Sequence, residues 1–265
     1  MALSRCYATI HDMISLLVSE LLFVAAALLA ARALKSGLPT TAVQLLSACA
    51  VGAGLLYWQT HLAGAHGAVV SMAGSGMITA ALALIVALFK PMPIALVLVN
   101  AAAAAFLLPL FMVSVPTTST GISGSAALHV VLAVLGFSAF TLAALQALSV
   151  VWLSKQIKQH RLGDFSGAGS LEANESSWVF LTYFAWVAVL LAILSGVPSV
   201  TDAVEQNVAH KIFFAVLAWI LLTVVLAGRR LRGWRDKTAA SWVLVGWAAL
   251  ILAWFGVKLV LEQLV

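Results

Sequence analysis

Apolar runs long enough to cross a bilayer recur about eight times along this chain, and that repetition limits the fold more than any motif within it. A hydrocarbon core of about 30 Å is spanned by about 20 helical residues. The runs fall near Met13 to Ala31, Ala42 to Trp58, Val69 to Phe89, Ile94 to Val115, Ala126 to Leu153, Trp178 to Val197, Ile212 to Ala227 and Trp242 to Val260. Lipid supplies no water to the backbone, so only helices or a closed barrel can cross it. These runs are continuous and rich in Leu and Ala rather than alternating, which selects helices. The expected fold is all-α, a polytopic membrane helix bundle of about eight transmembrane helices. Composition agrees, with 63% of the 265 residues hydrophobic and 9% charged, against about 25% charged in a soluble domain.

A net charge of +5 would suit nucleic acid or an acidic partner if the cations were clustered on one soluble face. They are instead distributed over alternate loops. Arg32 and Lys35 follow the first run, Lys90 the third, Lys155, Lys158 and Arg161 the fifth, and Arg229, Arg230, Arg232, Arg235 and Lys237 the seventh. Only Arg5, Lys211 and Lys258 of the 14 Lys and Arg remain for the opposite side. By the positive-inside rule the basic side is cytoplasmic, so both termini are expected on the outer, periplasmic side of a bacterial inner membrane. The basic balance is thus a topology signal, with no nucleic-acid site.

The first run carries its positive charge after rather than before it, the wrong polarity for a cleaved signal peptide. Met1 to Asp12 reads as an N-terminal extension, and Met13 is an alternative start. Cys6 and Cys49 form no CxxC, zinc or CxxCH spacing. The longest polar connection, SKQIKQHRLGDFSGAGSLEANESS, reads as a mobile linker. P-loop, GxSxG and HExxH motifs are absent, so no catalytic residue is assigned and any chemistry must lie among the helices or at their outer ends.

Topology gives the histidines a meaning that linear order hides. His11, His61, His66, His129 and His210 fall on the outer side, and His160 alone is cytoplasmic. His11, His61 and His66 read as interfacial. His129 and His210 each open a run, in GSAALHVVLAVLGF and NVAHKIFFAVLAW, and both segments run in the same direction, so their imidazoles lie at similar depth. Neutral imidazole is a common ligand of haem iron. Spacing leaves two readings open: an axial pair gripping a haem, or two unrelated interfacial histidines.

The stretch AHKIFFAVLAWILLTVVLAGRRLRGWRDKTAASWVLVGWAALILAWFGVKLVLE carries HK, LAW, GRxxxGWR, AWFGxK and a terminal Glu, and HVVLAVLGFSAFTLAALQALSVVWL opens on His129 and contains ALQAL. These segments resemble the C-terminal half of the cytochrome c assembly integral membrane family, in its HemX- and YpjD-like branch. The resemblance implies one transmembrane domain over residues 13–265, an association with haem (b-type, in transit or fixed) and with other membrane proteins of cytochrome assembly, iron ligands at His129 and His210, and an assisting cation at Lys211. The haem-handling members carry a WWD-type segment before that Lys. Here the loop reads SGVPSVTDAVEQNVAHK, without tryptophan, so haem lyase activity is not implied.

Other polar residues have structural readings. Glu20 within the first run is expected to pair with Lys258. Gln44, Asn100 and Gln146 read as mid-span amides bonding between helices, and Lys211 as either a propionate partner or a snorkelling cation. GRRLRGWRDK reads as a topology anchor attracted to anionic membrane lipids, and Trp58, Trp152, Trp178 and Trp242 as an interfacial belt. Two functions follow. One is a haem-binding protein of cytochrome c assembly. The other is a non-catalytic membrane partner that keeps the fold and has lost haem. A small-ion transporter lacks the paired mid-membrane carboxylates it would need.

Overall fold

The computed structural model describes residues 2–37, 40–59, 68–111, 124–160, 162–197, 209–234 and 236–256, which are helical apart from short turns and contain no strand. The α-helices are α1 (Ala2–Ser36), α2 (Thr41–Tyr57), α3 (Ala68–Ala87), α4 (Pro93–Leu107), α5 (Gly124–Lys158), α6 (Leu171–Gly196), α7 (Ala209–Arg232) and α8 (Asp236–Ile251), one for each expected run. Six are long and apolar enough to cross a membrane, while the apolar parts of α2 and α3 are shorter. The chain is a polytopic helical membrane bundle.

Helix ends follow local chemistry. Pro93 stands in the first turn of α4, where its missing N–H is not needed. Ser170 caps α6, its Oγ accepting the Ala173 N–H at 3.2 Å. Gly37, at φ +65°, ends α1 and donates its N–H to the Ala33 carbonyl at 3.0 Å. Cations occupy the last turns of α1, α5 and α7, where they face the negative pole of the helix dipole.

The helices fall into two compact units. The first comprises Met1–Gly121 with Gly163–Gly169, the second Ile122–Leu162 with Ser170–Val265. In the first unit α1 packs on α2 and α4, and α3 packs on α4 and α2. Small buried residues such as Ala26, Ala30, Ala33, Ala50 and Ala95 let these helices approach closely. Ser19 Oγ donates to the Ala50 carbonyl at 3.0 Å. Ser47 Oγ lies 2.9 Å from Asn100 Oδ1, so Asn100 does bond between helices as expected.

The second unit is a closed ring of four helices in which α5 packs on α6, α6 on α7, α7 on α8 and α8 on α5. α5 and α7 therefore face each other across the diagonal. α5 lies close against α6 at Gly136, where an added Cβ would lie 3.3 Å from the backbone of Ala188 and Val189.

Several expectations change. The first helix begins at Ala2, continuing through the segment the sequence leaves unassigned. The expected mobile linker is short and ordered. Its first five residues belong to α5, and Leu162–Ala168 forms a 3-10 turn that packs in the first unit. Ser166 Oγ donates there to the Lys35 carbonyl at 3.4 Å, and only glycine fits at Gly167, because a Cβ would collide with the Ala33 carbonyl oxygen. Gln44 sits in the first turn of α2 rather than mid-span. Trp178 is fully buried rather than interfacial. His61, His66 and Lys258, and the side chains of Cys6 and His11, lie outside the described residues. The Glu20–Lys258 pair is therefore not described. Glu20 itself is buried, and its Oε2 has no partner among the described residues.

Gly136→Leu should force α5 and α6 apart and cost about 1–3 kcal/mol, as overpacking does, whereas Gly52→Leu, with nothing within 4 Å of its Cβ position, should be neutral. Thermal unfolding of the detergent-solubilised variants checks this, and equal midpoints would contradict the packing described.

Candidate functional site

The second unit has two chemically distinct ends. One is formed by the start of α5, the finish of α6 and the start of α7, and it carries His129, Ser195, His210 and Lys211. The other is formed by the finish of α5, the start of α6 and the finish of α7, and it carries Lys155, Lys158, Glu175, Arg229, Arg230 and Arg232. α7 joins them. Its 20 residue-to-residue steps from His210 to Arg230 rise about 30 Å at 1.5 Å each, the thickness of the hydrocarbon core.

At the first end His129 is half-buried in the second turn of α5. Its ring lies on Gly196, where a Cβ would stand 2.9 Å from Cε1, so the missing side chain there makes room for the imidazole. His129 Nδ1 is 3.1 Å from Ser195 Oγ. Ser195 Oγ in turn donates to the Ala192 carbonyl at 2.9 Å. A hydroxyl has one proton. A proton directed at Ala192 leaves the Ser195 oxygen to accept from His129, and in that arrangement the ring proton would sit on Nδ1 with a lone pair on Nε2. A hydrogen bond to one ring nitrogen that frees the other is how proteins prepare an imidazole ligand.

His210 is half-buried in the first turn of α7, and its Nε2 is buried without a hydrogen-bond partner among the described residues. The sequence-derived pair thus lies on the two diagonal helices of one ring, at the same end. Lys211 follows at the next position and is also half-buried. Among the described residues no three His, Cys, Asp or Glu side chains cluster to cage a metal ion. What this end offers is two imidazole nitrogens.

Aromatic side chains lie beneath. Phe213 and Phe214 pack edge to face at 5.4 Å, one turn along α7 from His210. Deeper, Trp186 of α6 stacks on Trp219 of α7 at 5.5 Å and donates its Nε1 hydrogen to Thr223 Oγ1 at 2.8 Å. Phe137 of α5 stacks on Trp254, in the π turn Leu252–Gly256 that continues α8, at 5.1 Å. The sequence reading singled out only tryptophans near run ends, so these contacts deeper in the spans went unmarked.

The basic end also holds what spacing could not show. Arg229 Nη2 donates to Glu175 Oε1 at 2.8 Å, and its guanidinium carbon stands 4.7 Å over the Trp178 ring. Beside Glu175 in sequence, Asn174 accepts from Gln146 Nε2 through its backbone oxygen at 3.0 Å and Oδ1 at 3.3 Å, so Gln146 bonds between helices as expected. The signal for the ion pair was present in sequence as opposite charges at adjoining run ends, but 54 residues separate the partners.

A family model described as "Cytochrome C assembly protein" matches residues 42–265. The inner membrane protein YpjD of Escherichia coli, from strains K12, O6:H1 and O157:H7, is 26% identical over 137 residues, covering 52% of this chain and 52% of each relative. The chain thus matches about half the length of these curated relatives. No solved structure matches.

The tautomer can be read directly. In 15N-labelled protein, His129 should show a protonated Nδ1 and a bare Nε2, and Ser195→Ala should shift it toward the Nε2-protonated form that free imidazole side chains prefer. An Nε2-protonated wild type would rule out the assignment.

Proposed function

The chain belongs to the cytochrome c assembly protein family, and on that premise we propose that it is a multi-pass inner-membrane protein of haem handling in cytochrome c assembly, binding haem near the outer face through His129 and His210. The family is haem-related, and the residues present suit the group. The observation that carries the reading is the pair of imidazoles at one end of the ring: His129, whose Nδ1 is held 3.1 Å from Ser195 Oγ, and His210, whose Nε2 is buried without a partner among the described residues. They stand on helices that oppose each other across a four-helix ring.

Haem, when bound, would supply an iron that imidazole nitrogens can ligate and a porphyrin bearing two carboxylates, and His129 and His210 would hold it. This chain's residues would bind and orient it. Ser195 would set the His129 tautomer, and Gly196 leaves space for that ring. The phenyl groups of Phe213 and Phe214 offer apolar area close to His210. Lys211, adjacent to a ligand, is suited to a propionate. The role is binding and presentation rather than bond-making. The cations at the far end of α7 and α5 support a cytoplasmic position for that end by the positive-inside rule, which would leave the histidines and both termini outside. Location in the inner membrane accords with the relatives' name. Other membrane proteins of cytochrome assembly are the natural partners for a protein that holds haem at that face.

A second reading is a membrane partner that has kept the fold and lost haem. It is favoured by the tryptophan-free sequence between Gly196 and His210.

The absorption spectrum separates them. After haem-supplemented expression, the purified protein should show a low-spin Soret band with α and β bands on reduction, and both His129→Ala and His210→Ala should lose those bands. A wild type that stays colourless on haem addition would refute the first reading and leave the second.

A further inference from the structure

An open groove runs between α6 and α7 near the basic end of the second unit, lined by Val179, Tyr183, Leu226, Arg229 and Arg230. Val179 and Tyr183 are four residues apart, as are Leu226 and Arg230, so each wall is a single ridge of the helix surface. The wall is apolar toward the membrane interior, and Tyr183 is exposed there together with its neighbours Phe180 and Val187. Toward the helix end the groove finishes on two guanidinium groups.

These two arginines are not equivalent. Arg229 is largely neutralised, since Glu175 takes its Nη2 and Trp178 lies beneath it. Its Nη1 is buried, with no acceptor among the described residues. Arg230 is exposed, so it supplies the uncompensated charge. The carbonyls at the end of α7 would by themselves repel an anion. The uncompensated charge of Arg230 opposes that field at the mouth of an apolar channel.

We propose that this groove holds an anionic phospholipid, its phosphate at Arg230 and the edge of Arg229, one acyl chain lying along Leu226, Val179 and Tyr183. The combination selects the ligand. A soluble phosphate would use the arginines and have no need of the apolar walls. A zwitterionic lipid would fill the walls and gain little from the surplus charge. The site is distinct from the general attraction of basic loops to anionic lipid, because Arg232, equally exposed and in the same helical turn, does not line the groove.

Native mass spectrometry of the detergent-purified full chain, titrated with phosphatidylglycerol or phosphatidylcholine, tests this. Wild type should retain phosphatidylglycerol preferentially, and free glycerol phosphate should not displace it. Arg230→Gln should weaken retention about fivefold, the order expected for one basic side chain near a membrane surface, while Arg232→Gln leaves it unchanged. Leu226→Trp, which fills the groove without altering charge, should weaken it too. Equal losses for Arg230→Gln and Arg232→Gln would mean diffuse surface charge and overturn the site. So would absence of lipid preference, full retention in Leu226→Trp, or displacement by glycerol phosphate.

Discussion

In hydrocarbon a polar hydrogen that finds no acceptor in the protein finds none at all, and most of this structure is arranged around that fact. Hydroxyls within the spans return their protons to their own helix. Thr79, Thr141, Ser149, Ser177 and Thr182 each donate to the carbonyl four residues earlier. The oxygen is then free to accept, and Thr141 receives Trp247 Nε1 at 3.0 Å as Thr223 receives Trp186. Chains of this kind, indole to hydroxyl to carbonyl, join neighbouring helices without leaving a donor exposed to lipid. Ser195 is placed to follow the same rule, its Oγ within 2.9 Å of the Ala192 carbonyl and 3.1 Å of His129 Nδ1.

Against so thorough a use of acceptors, the exceptions are informative. Buried side-chain atoms without partners among the described residues are found at Glu20, Gln146, Trp178, His210, Trp219 and Arg229. Three of these, His210, Trp219 and Arg229, lie on α7, and Trp178 packs against Arg229. An unpaired buried polar group costs about 1–3 kcal/mol. A helix bearing three of them is stabilised elsewhere, here by packing against α6 and α8, and it is the element on which external ligands have most to offer.

The fold was legible because its signal is large and local. A run of about 20 apolar residues predicts its own helix without reference to anything distant, and eight runs became eight helices. Asn100 and Gln146 were legible for a similar reason, since an amide in a span must bond to something nearby. Sites depend on partners far apart in sequence, and there the reading thinned. His129 and His210 could be matched in depth from topology, but Ser195 is one serine among many until α6 brings it to His129, 66 residues away. Trp178 was misread because a tryptophan at a run end and a tryptophan beneath an arginine have the same one-dimensional context. The polar stretch 154–177 was misread because composition registers its Gly and Ser content and not the Gly167 contact with α1 that orders it.

The division of α7 into an imidazole end and a guanidinium end gives one helix two termini of different chemistry. Arginine in the last turn is favoured by the negative pole of the helix dipole, whereas the same cations in the first turn would face the positive pole. Chain direction and the positive-inside bias act together here, because the helix end that suits the arginines electrostatically is also the end that the bias draws to the cytoplasm. His210 is thereby left at the opposite end of the same helix, a full span away from Arg229, Arg230 and Arg232.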